Sequence, residues 1–358
     1  MINVTKSYLP PMARYVGLLE EVWDSGQITN GGPLCVRLER ELADFLGVPH
    51  VVLVANGTLA LQIAARALRM SGNVITTPFS YVATTSSLVW EGCEPFFVDV
   101  KADSLCLDPD QVASALASGD SFTGIVATHV YGNPCSVDEL EGIARAHSVP
   151  LLFDAAHAFG VRLDGESLLA RGDASVLSFH ATKLFHTAEG GAVVTMRDDV
   201  AHLARQYRNF GHVTPESFDV AGINAKMSEL HAAMGLAVLP DVPAIIEARR
   251  VCTEFYDALL SEHVERPAAG AGSTSNFAYY PILLQSRDSR ERVLSALDRE
   301  GVVARRYFSP ALNTLPYVRH VSMPVAEDAA DRVLCLPLFA GLSSADINRI
   351  AHVVLVNC

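Results

Sequence analysis

The chain has 358 residues, half of them hydrophobic and 19% charged, enough to bury a large core in about two domains and too apolar for a disordered protein. A net charge of −13 argues against nucleic acid or an anionic membrane as the main partner. The seven cysteines are odd in number, scattered and without a C-x-x-C pair, so free buried thiols in a reducing compartment are expected rather than a disulfide framework or a zinc ribbon. The N-terminus has no signal-type apolar segment and no apolar run reaches about 18 residues, so a cytoplasmic protein is expected.

In chain order, LCVRLERELADFL (34–46) has helical periodicity, and HVVLV (50–54) is a short β-branched run that reads as a buried strand. TLALQIAARALRM is helical, and NVITTP (73–78) and PFFVDV (95–100) are strands. Asp108-Pro109 is a cap followed by proline at the first helical position of DPDQVASALA. GIVATHV (124–130) is a strand, and Ser136 with Glu139 fits a capping box opening SVDELEGIARAHS. VPLLFD (149–154), ASVLSF (174–179) and GGAVVTM (190–196) complete the series. Strand–helix alternation over this length implies a mostly parallel sheet covered on both faces.

The rhythm then changes. Two long helical patterns cover about 224–239 and 241–262, and a loop rich in Ala, Gly and Ser spans 266–276. Beyond it come a strand in AYYPILL, a helix in DSRERVLSALDREG, strands at VVARRYF (302–308) and RVLCLPL, and a last helix starting at Ser343. This is a smaller α+β unit, so the division falls into 1–240 and 241–358.

Lysine is rare: Lys6, Lys101, Lys183 and Lys226 are the whole set. Lys183 lies in SFHATKLFHTAEGGAVV, between the end of a buried strand and a Gly-Gly step into the next. Among apolar neighbours a lysine loses solvation of its charged form, its pKa falls and its amine becomes nucleophilic, as a Schiff-base lysine requires. Asp154 ends the apolar strand VPLLFD, where a carboxylate needs a partner. It could cap a helix, bind a metal, or face a cationic ring nitrogen such as that of pyridoxal phosphate. Asp154 and His157 are spaced for chelation, but no third ligand is apparent and a metal site is not expected. Gly57 and Thr58 begin a helix directly after HVVLV, which suits an anion at its N-terminus, although N-G-T is also an ordinary cap. Ser178 offers a second hydroxyl, and Tyr81 an aromatic ring that could stack on a planar cofactor or simply fill the core. No P-loop and no nucleophile elbow occur.

Taken together, NGTLAL, TTPFSYVAT, FFVDV, HVYGNPC, DAAHAFG, SFHATK…EGGAVV and GINAKMSELHAAMG follow one order. In that order the sequence resembles the DegT/DnrJ/EryC1/StrS aminotransferases from about residue 8 to the C-terminus. The resemblance implies an α/β fold of the pyridoxal-phosphate-dependent type I class, with a mostly parallel mixed sheet between helices in a large domain and a smaller C-terminal α+β domain. It implies pyridoxal 5′-phosphate as cofactor, with Lys183 binding it covalently, Asp154 facing its ring nitrogen, His157 near its ring hydroxyl, and Tyr81 stacking on the ring. Gly57, Thr58 and Ser178 match phosphate contacts. Asn224 matches an asparagine that reaches the phosphate in a partner subunit, which implies a homodimer with shared sites. Lys226 stands where many relatives have arginine, and Thr29, Asn30, Arg306 and Tyr307 match positions near the sugar nucleotide. The implied reaction moves an amino group from L-glutamate to a nucleotide-linked keto-sugar. FHATKLFHTAEGG and ARRYFSPALNTLPY are most similar to enzymes that aminate C4 of a dTDP-4-keto-6-deoxyhexose. Amination at C3, a UDP- or GDP-sugar, a sugar dehydratase or lyase, and a non-catalytic regulator of the same fold are the alternatives.

Overall fold

The structure, a computed structural model, describes residues 1–358. Its helices are α1 (Met12–Ser25), α2 (Pro33–Leu46), α3 (Gly57–Ala67), α4 (Val82–Trp90), α5 (Pro109–Leu116), α6 (Val137–His147), α7 (Asp198–Tyr207), α8 (Glu229–Val238), α9 (Val242–Leu260), α10 (Arg287–Arg299), α11 (Pro324–Arg332) and α12 (Ser344–Asn357). The strands are β1 (His50–Val54), β2 (Gly72–Thr76), β3 (Cys93–Phe97), β4 (Ile125–Thr128), β5 (Leu151–Asp154), β6 (Arg162–Leu163), β7 (Glu166–Ser167), β8 (Ala174–Ser178), β9 (Gly191–Thr195), β10 (His212–Thr214), β11 (Ser217–Phe218), β12 (Tyr280–Leu283) and β13 (Val333–Leu336).

Seven strands form the central sheet in the order β1-β9-β8-β5-β4-β2-β3. The run from β8 to β3 is parallel, and β9 is antiparallel to both neighbours, β1 and β8. Alternation along each strand sends one set of side chains to each face. Val52, Val54, Val74, Val126 and Val176 pack with α3, α4 and α7. Leu53, Ile75, Ile125, Phe153 and Leu177 pack with α2, α6 and α8. Both faces are covered, which is why these strands read as unbroken apolar runs.

A separate cluster of 20 buried residues runs from Cys252 to Val354, built from α9, α10, α12, β12 and β13. The break between α8 and α9 falls at a short turn, Leu239–Asp241, that contains Pro240. Together Glu229–Leu260 are long and apolar enough to cross a membrane, but more than half of that window is buried in the fold, against α1, α2 and α12. It is one long helix interrupted by that turn and packed largely inside the fold.

Three sequence expectations need correction. Ser136 does not cap α6: its hydroxyl accepts from Lys101 Nζ at 3.4 Å, and Glu139 faces the same amine at 3.8 Å, so the lysine takes both members of the box. Residues 302–308 make no strand. Only Val302 and Arg305 form single bridges, to Ile2 and Cys335, before the chain turns inward and buries Phe308. Residues 224–228 are not helical, because the Asn224 backbone bridges to Asn209 and α8 starts at Glu229, capped by Ser228. The caps at Asp108 and Ser343 form as expected. The cysteines are all free, six buried and Cys358 exposed.

Candidate active site

The sheet register gathers the chemistry at one edge. Thr128 ends β4 opposite Asp154, the last residue of β5, and Asp154 is in turn level with Val176 of β8. Ser178 ends β8 opposite Gly191, which also pairs with Val54, the last residue of β1. The carboxyl ends of these parallel strands therefore open on one side, where α/β sheets place ligands.

Two glycines let α3 close on that edge. A Cβ on Gly191 would lie 2.6 Å from the Asn56 carbonyl carbon and 2.7 Å from the Gly57 nitrogen, so only glycine allows β9 to start against the helix N-terminus. A Cβ on Gly57 would meet Ser178 Cβ at 2.9 Å. Asn56 Oδ1 caps the helix by accepting from Leu59 N–H at 2.9 Å. The N–H groups of Gly57 and Thr58 remain at the positive end of the helix dipole, beside the Ser178 hydroxyl.

Asp154 is 5% exposed and hydrogen-bonded at both oxygens. Oδ2 accepts from Thr84 Oγ1 at 2.6 Å, and Oδ1 accepts from Ala156 N–H at 3.1 Å. The Ala156 bond caps a turn, not a helix, since residues 155–160 are non-helical. Burial raises the Asp154 pKa, and its two hydrogen bonds and the Lys183 charge offset this in part. His157 is buried with Nδ1 unpartnered, and burial holds the ring neutral, well below the usual histidine range. The ring stacks on Phe308 at 5.3 Å and meets the Tyr279 ring edge-on at 4.9 Å. Burial lowers the Lys183 pKa against a smaller opposing pull from Asp154, and Nζ donates to Tyr279 Oη at 3.3 Å.

One cavity of about 280 Å³ joins these groups. Gly57, Thr58, Tyr81, Asp154, His157, Ser178, Lys183 and Tyr307 line it, with Tyr279, Phe308, His180 and Glu189. Thr29, Asn30, Asn224, Lys226 and Arg306 do not. Asn30 and Lys226 meet in a second, smaller cavity with Arg205 and Arg208, and Lys226 Nζ donates to Asn209 Oδ1 at 3.1 Å. Asn224 is exposed, Thr29 is partly buried outside either cavity, and Arg306 faces Glu291 at 3.6 Å. A larger hollow at the opposite end of the sheet is lined by charges that pair with one another, such as Arg197 with Asp173 at 2.6 Å. Nothing there resembles a reactive group.

Sequence reasoning missed Thr84, Tyr279 and Phe308. Thr84 carried one available signal: it follows Tyr81 by one helical turn at the end of the quoted TTPFSYVAT, on the side that a buried Asp154 would need a donor. Phe308 adjoins Tyr307 in the quoted ARRYFSPALNTLPY but reads there as one more apolar residue, and Tyr279, outside the quoted motifs, carried no signal.

The family model for the DegT/DnrJ/EryC1/StrS aminotransferases matches residues 13–355. The chain belongs to this aminotransferase family. It is 38% identical to a dTDP-4-amino-4,6-dideoxy-D-glucose transaminase of Shigella dysenteriae over 99% of this chain and 98% of that one. It is 33% identical to the Escherichia coli protein of the same name, again over 99% and 98%. Among solved structures, DesI, crystallised in the presence of its TDP-sugar product, matches with a TM-score of 0.93 and 37% identity over 99% of this chain and 92% of that one. The Helicobacter pylori aminotransferase PseC, involved in pseudoaminic acid biosynthesis, matches with a TM-score of 0.91 at 26% identity. The α/β fold with a mostly parallel mixed sheet is that of the aminotransferases in this family.

The cavity fits the cofactor that the family uses, pyridoxal phosphate. It offers an anion-ready helix end cleared of Cβ atoms, a buried carboxylate, a buried imidazole nitrogen in want of a partner, and an amine of lowered pKa.

Proposed function

We propose that this aminotransferase moves an amino group from L-glutamate to C4 of dTDP-4-keto-6-deoxyglucose, giving a 4-amino-4,6-dideoxy sugar nucleotide, with pyridoxal phosphate held by Lys183. The observation that carries the reading is the placement of Lys183 and Asp154 in one cavity with the N-terminus of α3. Identity of 38% and 33%, over nearly the full chain, to two dTDP-4-amino-4,6-dideoxy-D-glucose transaminases supports the choice of sugar.

Each residue has a part set by its chemistry. Gly57, Thr58 and Ser178 would take the phosphate, Asp154 the protonated ring nitrogen, His157 the ring hydroxyl, and Tyr81 the ring face. Bound there, the cofactor supplies an electron sink for the charge left when the donor's Cα loses its proton. Lys183 removes that proton: its amine, whose pKa burial lowers, serves as the base and then returns the proton as an acid. Asp154, fixed by Thr84 and Ala156, keeps a negative charge where a cation is needed. Glutamate and keto-sugar use the same cavity in turn, so ping-pong kinetics follow.

The reading also gives Asn30, Lys226 and Asn224 a place. They are assigned to the site of a second copy of the chain in a homodimer, with Arg205 and Arg208 adding positive charge for a diphosphate. Thr29, Arg306 and Tyr307 are assigned to the sugar nucleotide. Units 1–240 and 241–358 are proposed as the two domains, supported by the separate cluster beyond Cys252. A cytoplasmic location fits the free thiols. The test is an assay of dTDP-, UDP- and GDP-linked 3- and 4-keto-sugars with glutamate, the product identified by mass spectrometry and NMR. A 4-amino sugar on dTDP is expected. Amination at C3, preference for another nucleotide, or elimination without stoichiometric amine transfer would replace this reading.

A further inference from the structure

Tyr279 lies outside every motif that carries the family resemblance, yet its hydroxyl is the hydrogen-bond partner of the Lys183 amine, 3.3 Å away. We propose that Tyr279 is a positioning residue for Lys183, its hydroxyl holding the lysine's amine in place whenever that amine is free to move a proton. The inference rests on the reading of Lys183 as the reactive amine.

Three layers of structure fix the hydroxyl. The Tyr279 ring is wedged edge-on among His157 at 4.9 Å, Tyr131 at 5.8 Å and Tyr307 at 5.8 Å, so it has little room to swing. The backbone just before it is tied to the His157 loop. Asn276 is 2% exposed, and its Nδ2 donates to the carbonyls of His157 at 2.8 Å and Phe159 at 3.0 Å, while its Oδ1 accepts from Ala278 N–H at 3.1 Å. From the other side the buried Arg249 of α9 donates through Nη1 to the carbonyls of Phe277 at 3.3 Å and Ala278 at 3.1 Å. Between these anchors Phe277 is held at φ 52°, a left-handed conformation that a phenylalanine adopts only when its surroundings impose it. This is a constrained turn that delivers one side chain, and that side chain ends on Lys183.

The physical need is clear. A lysine amine sits on a flexible four-carbon stem, and once released from a covalent link it has no rigid tether of its own. Proton transfer demands a defined donor–acceptor geometry, and a displacement of about 1 Å can cost about 100-fold in rate. A buried phenol is suited to the task, since it can accept from the ammonium and donate to the neutral amine. The hydroxyl also reaches across the fold, from the segment leading into β12 to the loop after β8.

Tyr279→Phe keeps the ring and its aromatic contacts and removes the hydroxyl alone. In the holoenzyme with glutamate and the keto-sugar, kcat is expected to fall by about 10- to 100-fold while both KM values stay within about twofold. A second reading uses the protein stripped of cofactor. Only four lysines are present, so trace acetylation with acetic anhydride followed by peptide mass spectrometry reports Lys183 against Lys6 as an internal reference. With the phenol no longer accepting from the amine and favouring its charged form, more of the amine is free to react, and the Lys183:Lys6 ratio should rise by about threefold or more. An unchanged or lower ratio, or an unchanged kcat, overturns the proposal. So does a loss of kcat matched by an equal rise in KM. Borohydride reduction of the wild-type holoenzyme with peptide mapping tests the Lys183 reading separately. A tag elsewhere removes both claims, whereas a tag on Lys183 with unchanged Tyr279→Phe readings removes this one alone.

Discussion

Asp154 shows how a single buried carboxylate sets stability against chemistry. Burial raises its pKa, so at neutral pH ionising it disfavours the fold, and that cost is relieved as pH falls through the raised value. In Asp154→Asn the carbonyl oxygen can still accept from Ala156, and Thr84 can turn its hydroxyl proton to Ser80, 2.8 Å away. The cofactor-free variant should therefore melt no lower than wild type at pH 7, while kcat/KM falls by about 100- to 1,000-fold, read by calorimetry and steady-state assay on the same preparations. His129 carries the opposite sign. It is fully buried, stacked on Phe153 at 4.4 Å, and Nδ1 accepts from Cys135 N–H at 3.1 Å. Burial pushes its pKa down to about 3, against an ordinary value of about 6.5 in the unfolded chain. The unfolded state then binds the extra proton first, so the stability His129 contributes is intact above about pH 6.5 and is lost as pH falls towards 3, at about 1.4 kcal/mol per unit. Urea unfolding between pH 7 and 5 should show His129→Asn losing about 2 kcal/mol less than wild type over that range. His157 and His186, also depressed by burial, keep part of the slope in the variant.

Among the elements, α2 depends on a residue far away in sequence. Glu229 of α8 is fully buried, and its carboxylate accepts from Leu34 N–H at 2.7 Å and Cys35 N–H at 2.9 Å, two of the otherwise unpaired donors in the first turn of α2. Gly32 precedes them because a Cβ there would lie 2.7 Å from Glu229 Cδ. Glu229→Ala strips both bonds and leaves a cavity, and denaturant unfolding should show a loss of about 3 kcal/mol or more. No local pattern announces this contact: α2 begins with Gly-Pro rather than Ser, Thr or Asp, and its acidic cap comes from the helix that packs against it. The same division explains what could be read in advance. Most of the sheet was legible because its central strands are buried on both faces and show that as short apolar runs, whereas the edge strand β3 buries only Cys93 and Phe97 fully. Lys183, Asp154 and Ser178 were legible because strand ends are where such residues act. The stretch 302–308 was not, since its apolar residues serve an irregular segment, exposed at Arg305 and Arg306, that brings Phe308 beside His157. Nor was Tyr279, whose partner lies 96 positions earlier.

At the scale of the whole molecule, the residues assigned to the site fall into two places on one chain. Lys183, Asp154 and the α3 terminus share a cavity, while Lys226 and Asn30 share another with Arg205 and Arg208, and Asn224 stands exposed nearby in the chain. One chain alone does not bring the two sets together; in the proposed homodimer each copy would offer its second set to the other's first. Exposed apolar side chains in the same part of the sequence, Phe210, Val213, Phe218, Ile223 and Leu230, suit burial in such a contact. A mixing experiment decides the matter. Lys183→Ala and Asn224→Ala homodimers should each be nearly inactive. If sites are shared, unfolding and refolding an equal mixture places both defects in one site of each hybrid dimer and leaves the other site intact. Half the dimers are hybrids and each has one working site of two, so activity should recover to about a quarter of wild type. If each chain builds its site alone, no rearrangement of chains can restore a working site, and the mixture should stay at the sum of its inactive parts.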